Sequence, residues 1–187
     1  MLKQPLQFSH DILKQVIVEG DTVIDATVGN GKDTILLASL VGNLGKVYGF
    51  DIQKEALETA EQKLLLTGLL PQPELIHDGH EKPDQYLPEN TEISAAVFNL
   101  GYLPSGDKSI ITKPDTTLQA IEQSLNVLRK GGIISIMVYY GHDGGLEEKT
   151  KVDSYITGLS QKAYQVLEYK YVNQKNNPPY LYLIEKR

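Results

Sequence analysis

The chain has 187 residues, of which 41% are hydrophobic, and a formal net charge of −6 at pH 7. That length suits one sizeable domain with a packed core, taken here as residues 1–187, and leaves little room for two. The absence of cysteine excludes structural disulfides, thiolate zinc sites, iron–sulfur clusters and a cysteine nucleophile.

Residues 1–10 lack the apolar run of a signal peptide, and no uninterrupted apolar stretch is long enough to span a membrane. A cytoplasmic protein without a membrane partner is expected. Phe8, Ile12, Leu13, Val16 and Ile17 recur at helical spacing and predict a helix over 8–18, with Ser9 as a candidate cap. Val23-Ile24-Asp25 then reads as a buried strand, followed by the turn Ala26-Thr27-Val28-Gly29-Asn30-Gly31 and a helix opening at Lys32-Asp33-Thr34. Gly29 and Gly31 permit backbone conformations that a side chain forbids and let a ligand approach the main chain. A helix N-terminus beyond such a turn suits a nucleotide-like or carboxylate-bearing ligand. The same glycines would also serve a plain strand–turn–helix with no ligand.

Residues 46–51 predict a second strand ending in Asp51. A helix over 52–68 follows, with Ala56, Leu57, Ala60, Leu64 and Leu65 on one face. Residues 74–78 predict a short third strand ending in Asp78, and 79–92 are irregular. Residues 94–99 predict a fourth, buried strand ending in Asn99. A loop over 100–113 leads to a helix over 116–128, stopped by Lys130-Gly131-Gly132. The continuous apolar run 133–139 is a strand of the parallel, doubly covered kind. A glycine-rich loop, a helix over 146–159 and two strands, 166–172 and 180–184, complete the chain; the tight 173–179 link makes the last two antiparallel. A helix, five βα units and a terminal hairpin predict an α/β fold with a mostly parallel sheet and helices on both faces.

In such sheets, ligands bind beyond the carboxyl ends of the strands, where the strand order switches. The Gly29–Gly31 turn, Asp51, Asp78 and Asn99 all follow predicted strands and are expected to converge on that rim. Asp51 stands about one βα unit after the glycines, the spacing at which an acid meets ribose hydroxyls. Asp78 with His80 is a further candidate, with capping of the next segment as its alternative. Asn99-Leu100-Gly101-Tyr102 could hold an amine donor through the Asn99 oxygen and stack Tyr102 on a planar group. The alternative is an ordinary Asx turn with a packed tyrosine.

These segments, in this order across nearly the whole chain, resemble the class I S-adenosylmethionine-dependent methyltransferases, a Rossmann-like fold with a seven-stranded sheet. Four stretches make the likeness closer to one group, the tRNA 5-(aminomethyl)-2-thiouridine methyltransferases. They are Asp25 to Thr34; Asn99 to Pro104 with Gly106-Asp107-Lys108; Tyr139-Tyr140-Gly141-His142; and Asn176-Asn177-Pro178-Pro179. The resemblance implies S-adenosylmethionine as cofactor, held by Thr27, Gly29, Asn30, Gly31, Asp33, Thr34, Asp51, Gln53, Asp78, His80 and Asn99. It implies the anticodon region of tRNA as partner, with Tyr102, Lys108, Tyr140, His142, Lys175 and Asn177 on the substrate side. Homodimerisation is a further guess. Asn99-x-x-Tyr102 fits the habit of amino-methyltransferases, although Leu100-Gly101 stand where the best-known nucleobase-amine enzymes have two prolines.

An alkylamine is mostly protonated at neutral pH and must lose a proton before it can attack. Asn99, Asp107 and His142 are candidates for steering or accepting that proton, with Tyr102 beside them. His142 is the natural base on intrinsic acidity, and a loop histidine bound to backbone is its alternative. The acidic net charge counts against a broad grip on nucleic acid. It leaves open a local patch from Lys108, Lys113, Lys149, Lys151, Lys170 and Lys175. The competing functions are methylation of rRNA or a small-molecule amine, a nicotinamide oxidoreductase, and a noncatalytic cofactor-binding protein. The terminal hairpin, and Thr34 where a dinucleotide fingerprint has a small third residue, argue against the oxidoreductase.

Overall fold

The computed structural model describes residues 1–104, 106 and 109–187. Helix α1 (Pro5–Val16) precedes β1 (Thr22–Asp25), α2 (Lys32–Val41), β2 (Lys46–Phe50) and α3 (Lys54–Thr67). Then come β3 (Pro73–Ile76), β4 (Ile93–Leu100), α4 (Pro114–Val127), β5 (Leu128–Val138), α5 (Gly145–Thr157), β6 (Tyr164–Tyr169) and β7 (Tyr180–Lys186). The seven strands form one sheet in the order β3-β2-β1-β4-β5-β7-β6. The first five are parallel, and β7 runs antiparallel to both β5 and β6. The order reverses between β1 and β4, so a crevice opens beyond their carboxyl ends.

The central strands are apolar on both faces, because helices cover both. Leu13 and Ile17 with α2 residues Leu37, Ala38 and Val41 pack on one face, against Val23, Val47, Ala95, Val97 and Met137. Ile121 and Leu125 of α4 with Val152 and Ile156 of α5 pack on the other, against Ile24, Ala96, Phe98, Ile134 and Ile136. Among the described residues no helix is long and apolar enough to cross a membrane.

Several expectations shift. The first helix begins at Pro5, so Ser9 lies inside it. Its hydroxyl is buried and meets that of Ser135 on β5 at 2.6 Å, which makes Ser9 a helix-to-sheet link instead of a cap. The stretch 79–92, expected to be irregular, carries only the short 3₁₀ turn Pro83–Gln85 between β3 and β4. The two prolines in 79–92, which deny a helix its N–H donors, account for that. Gly131 and Gly132 lie within β5, because the strand already begins at Leu128. Leu65 is exposed, since its neighbours Ala60 and Leu64 fill the seam below α3.

The glycine turn has a packing reason as well as room for a ligand. Gly31 caps α2 with a φ of +75°, and a Cβ there would stand 2.8 Å from the Ala60 Cβ on α3. Gly31→Ala therefore combines left-handed strain with a backbone clash. We expect it to lower unfolding free energy by about 2–3 kcal/mol, read by urea denaturation. A loss near zero would show that α3 yields freely.

Candidate active site

Asp25 closes β1 and is fully buried. The Thr27 N–H donates to its Oδ1 at 3.1 Å and the Thr34 hydroxyl to its Oδ2 at 2.6 Å. Burial, with the Asp33 charge nearby, pushes its pKa up to about 7. Asp51 follows β2 and ties the glycine turn down. Its Oδ2 accepts the Gly29 N–H and its Oδ1 the Gln53 N–H, both at 2.8 Å. Burial raises its pKa, opposed by those two bonds. Each carboxylate oxygen keeps a lone pair, enough for a vicinal diol. The Asn30 carbonyl accepts the Lys63 ammonium at 2.7 Å, which locks the turn onto α3.

The chain after β4 is clamped on two sides. The Asn99 N–H donates to the Thr27 hydroxyl at 2.8 Å. Its side-chain Nδ2 donates to Asp33 Oδ2 at 2.7 Å, and Asp33 Oδ1 lies 2.6 Å from His10 Nε2 on α1. A flipped Asn99 amide would set its oxygen against a carboxylate, so this pairing fixes which end faces Asp33. Two residues on, the Gly101 N–H donates to Thr112 Oγ1 at 2.8 Å, and that hydroxyl donates to the buried Glu148 at 2.6 Å. The Leu103 side chain reaches toward Gly29, coming within 3.3 Å of where a Cβ would stand.

Tyr102 is 37% exposed and meets the His142 ring edge to face, with centroids 5.4 Å apart. His142 Nε2 lies 2.7 Å from the Tyr139 carbonyl and Nδ1 3.0 Å from that of Asp143. Both nitrogens lie within hydrogen-bond reach of carbonyl oxygens, and a neutral ring can donate to only one of them. In this conformation His142 braces its loop, the backbone-bound alternative weighed for it. Tyr140 packs on Tyr180 with the Lys149 ammonium over both rings. Asn177, with a φ of +52°, sits beside Gly141. Lys175 is exposed on the β6–β7 link. Asp107 and Lys108 lie outside the described residues.

Asp78 neither caps the 3₁₀ turn at Pro83–Gln85 nor stands without partners. Its Oδ1 accepts the Gly79 N–H and the Lys82 ammonium, and its Oδ2 the Tyr86 hydroxyl. Those bonds hold its pKa down to about 2. His80 Nδ1 lies 2.9 Å from the Ala26 carbonyl, and burial lowers its pKa, so the neutral ring donates there as a strut under the β1 turn. Lys149, Lys151 and Lys170 each pair with a nearby acid. Exposed pairs of this kind are weak, so the ammonium groups stay available to another anion.

A family profile described as "Putative rRNA methylase" matches residues 47–185, and a "Methyltransferase domain" profile matches 17–71. An Arabidopsis thaliana protein named tRNA (mnm(5)s(2)U34)-methyltransferase, chloroplastic, is 38% identical over 98% of this chain and 70% of its own length. A solved "putative rRNA-methylase" from Clostridium thermocellum superposes with a TM-score of 0.97 at 48% identity, covering all of both chains. A "putative methyltransferase" from Streptococcus mutans, solved in complex with SAH, gives 0.91 at 44% identity, also over both whole chains. The chain belongs to the rRNA-methylase family. It is an S-adenosylmethionine-dependent methyltransferase.

The turn at Gly29 and Gly31 of this methyltransferase is left-handed, and Asp51 keeps lone pairs that could accept ribose hydroxyls. Four residues of the methyltransferase site escape a reading of the sequence: Asp25 as a site acid, and His10, Thr112 and Glu148. Asp25 had a signal, an acid at the end of an otherwise apolar strand. The other three meet the site only through tertiary contacts between distant segments.

Two outcomes follow for the methyltransferase. Asp51→Asn removes the charge and strains the Gly29 tie, so the Kd for SAH should rise about tenfold or more in calorimetry. An unchanged Kd would remove Asp51 from the cofactor pocket. Asp25 holds its proton in the folded state up to about pH 7. Unfolded, it releases that proton in the ordinary carboxylate range, so its contribution to stability falls as pH rises through this window. Asp25→Asn should flatten the decline in unfolding free energy between about pH 4 and 7; a parallel decline in both proteins would refute the burial argument.

Proposed function

We propose that this enzyme N-methylates the primary amine of a 5-(aminomethyl)uridine, with or without a 2-thio group, at the wobble position of tRNA. The observation that carries this reading is the Asn99 amide. With its Nδ2 committed to Asp33, its carbonyl oxygen is the end left to accept an N–H from an incoming amine. The half-exposed Tyr102 three residues on offers a face for a pyrimidine to stack on. The name of the Arabidopsis relative supports the same substrate class, whereas the family description favours rRNA as the second reading.

When bound, S-adenosylmethionine would supply an electrophilic methyl group: the amine lone pair would form the N–C bond as the S–C bond broke, S-adenosylhomocysteine would leave, and the methylated nitrogen would shed one proton. The residues of the chain position and desolvate. Asp51 and the Gly29–Gly31 turn hold the nucleoside end of the cofactor, and Asn99 aims the amine. Leu103 and Tyr102 shield the site from water, so that reactants meet in a fixed geometry. His142 holds the Tyr139 and Asp143 carbonyls and supports Tyr102 from the side.

The test is methyl transfer to total tRNA from cells lacking this protein, followed by nucleoside mass spectrometry. One added methyl on 5-aminomethyl-2-thiouridine is the expected product. Incorporation into rRNA alone would replace this reading with the second. His142→Ala should lower turnover and leave the shape of the pH–rate profile unchanged. Loss of a limb from that profile would restore a base role to His142.

A further inference from the structure

The N-terminal helix takes no part in the functions considered so far, yet one of its side chains reaches the reaction centre. His10 lies on α1, well before the glycine turn in sequence. Its Nε2 meets Asp33 Oδ1 at 2.6 Å, and the other oxygen of that carboxylate takes the Asn99 Nδ2 at 2.7 Å. Asp33 is buried, whereas His10 borders an open hollow of about 220 Å³ with Lys3, Gln7, Asp11 and Lys14. The buried Ser9–Ser135 contact holds α1 against β5 one residue away, so His10 is carried on a fixed support.

We infer that His10 is a positioning residue, which acts through Asp33 to hold the Asn99 amide with its carbonyl oxygen toward the acceptor amine. This rests on the amine-methylation reading above, and it gives Asp33 a different task from the cofactor contact expected of it. The geometry favours this task because both Asp33 oxygens are already engaged, one toward α1 and one toward the end of β4. An Asp33 without His10 would lose one of its two anchors. Its carboxylate could then rotate, and Asn99 would sample the flipped amide that the paired carboxylate forbids. Substrate aim would suffer while the cofactor pocket around Asp51 and the glycine turn stayed intact.

The experiment compares His10→Ala, His10→Gln, Asn99→Ala and the double variant His10→Ala/Asn99→Ala in the full chain. Calorimetry with SAH, single-turnover methyl transfer to tRNA from cells lacking the protein, and ¹H–¹⁵N spectra of the side-chain amides are the three readouts. The Asn99 amide pair is assigned by its disappearance in Asn99→Ala. His10→Ala is expected to shift that pair and slow methyl transfer about tenfold, the scale of a charge-assisted hydrogen bond. The Kd for SAH should stay within about twofold. His10→Gln, which keeps an N–H donor, should recover most of the rate. In the double variant, loss of His10 should add nothing to loss of Asn99.

An unmoved Asn99 resonance, or a full additive loss in the double variant, overturns the inference. So does a fall in SAH affinity with His10→Ala, which would return Asp33 to the cofactor pocket. If the wild-type protein methylates no tRNA, the substrate reading fails on its own, and the amide resonances still decide whether His10 positions Asn99.

Discussion

The hydrogen bond from the Asn99 main-chain N–H to the Thr27 hydroxyl joins the two strands between which the sheet reverses its order. One strand end delivers the glycine turn and the other delivers the loop that would carry the acceptor. The Ala26 N–H to Val97 carbonyl bond continues the β1–β4 pairing to the last residue before the turn. Because both ends are pinned at one junction, their relative placement is set by sheet register instead of by loop conformation. Precision at a reacting centre needs this kind of support, since small misplacements cost much of the rate.

That junction concentrates carboxyl groups. Asp25, Asp33 and Asp51 gather within one layer of the rim, and each has its oxygens occupied by donors from the chain. Asp25 and Asp51 are nonetheless pushed up by burial, so the protein tolerates carboxylates that its own donors do not fully compensate. A cationic ligand relieves this, because a positive charge close by favours the ionised form.

The parts of this design visible in the sequence are those whose signal is local. The β1 turn, the acids after β2 and β3, and Asn99 near the end of β4 could be placed because a period-two or continuous apolar run ends just before each. The terminal hairpin could be placed because seven residues cannot hold a crossover helix. Other parts depend on what lies opposite. Ser9 has the chemistry of a cap, and Ser135, 126 positions away, makes it a buried link. Asp78 follows a strand as Asp51 does, but Lys82 and Tyr86 come back to claim its oxygens. His142 has the acidity of a base, yet two carbonyls on its own loop lie within hydrogen-bond reach of its nitrogens. His10 looks like a surface residue of an amphipathic helix until the fold sets it against Asp33. A side chain's type states what it can bond, and the partner that takes up that capacity is decided in three dimensions.

The same charge inventory bears on how an alkylamine could react here. Carboxylates alone would stabilise the ammonium and hold it unreactive. A bound sulfonium changes the balance, since a like charge nearby disfavours a second cation and lowers the proton affinity of the amine. Desolvation under Tyr102 and Leu103 acts in the same direction. Under the proposed function, neutral amine could then be reached without a dedicated base. On that reading, what remains for the protein is to select the lone-pair geometry, and an amide oxygen fixed by Asp33 could do that with a single hydrogen bond.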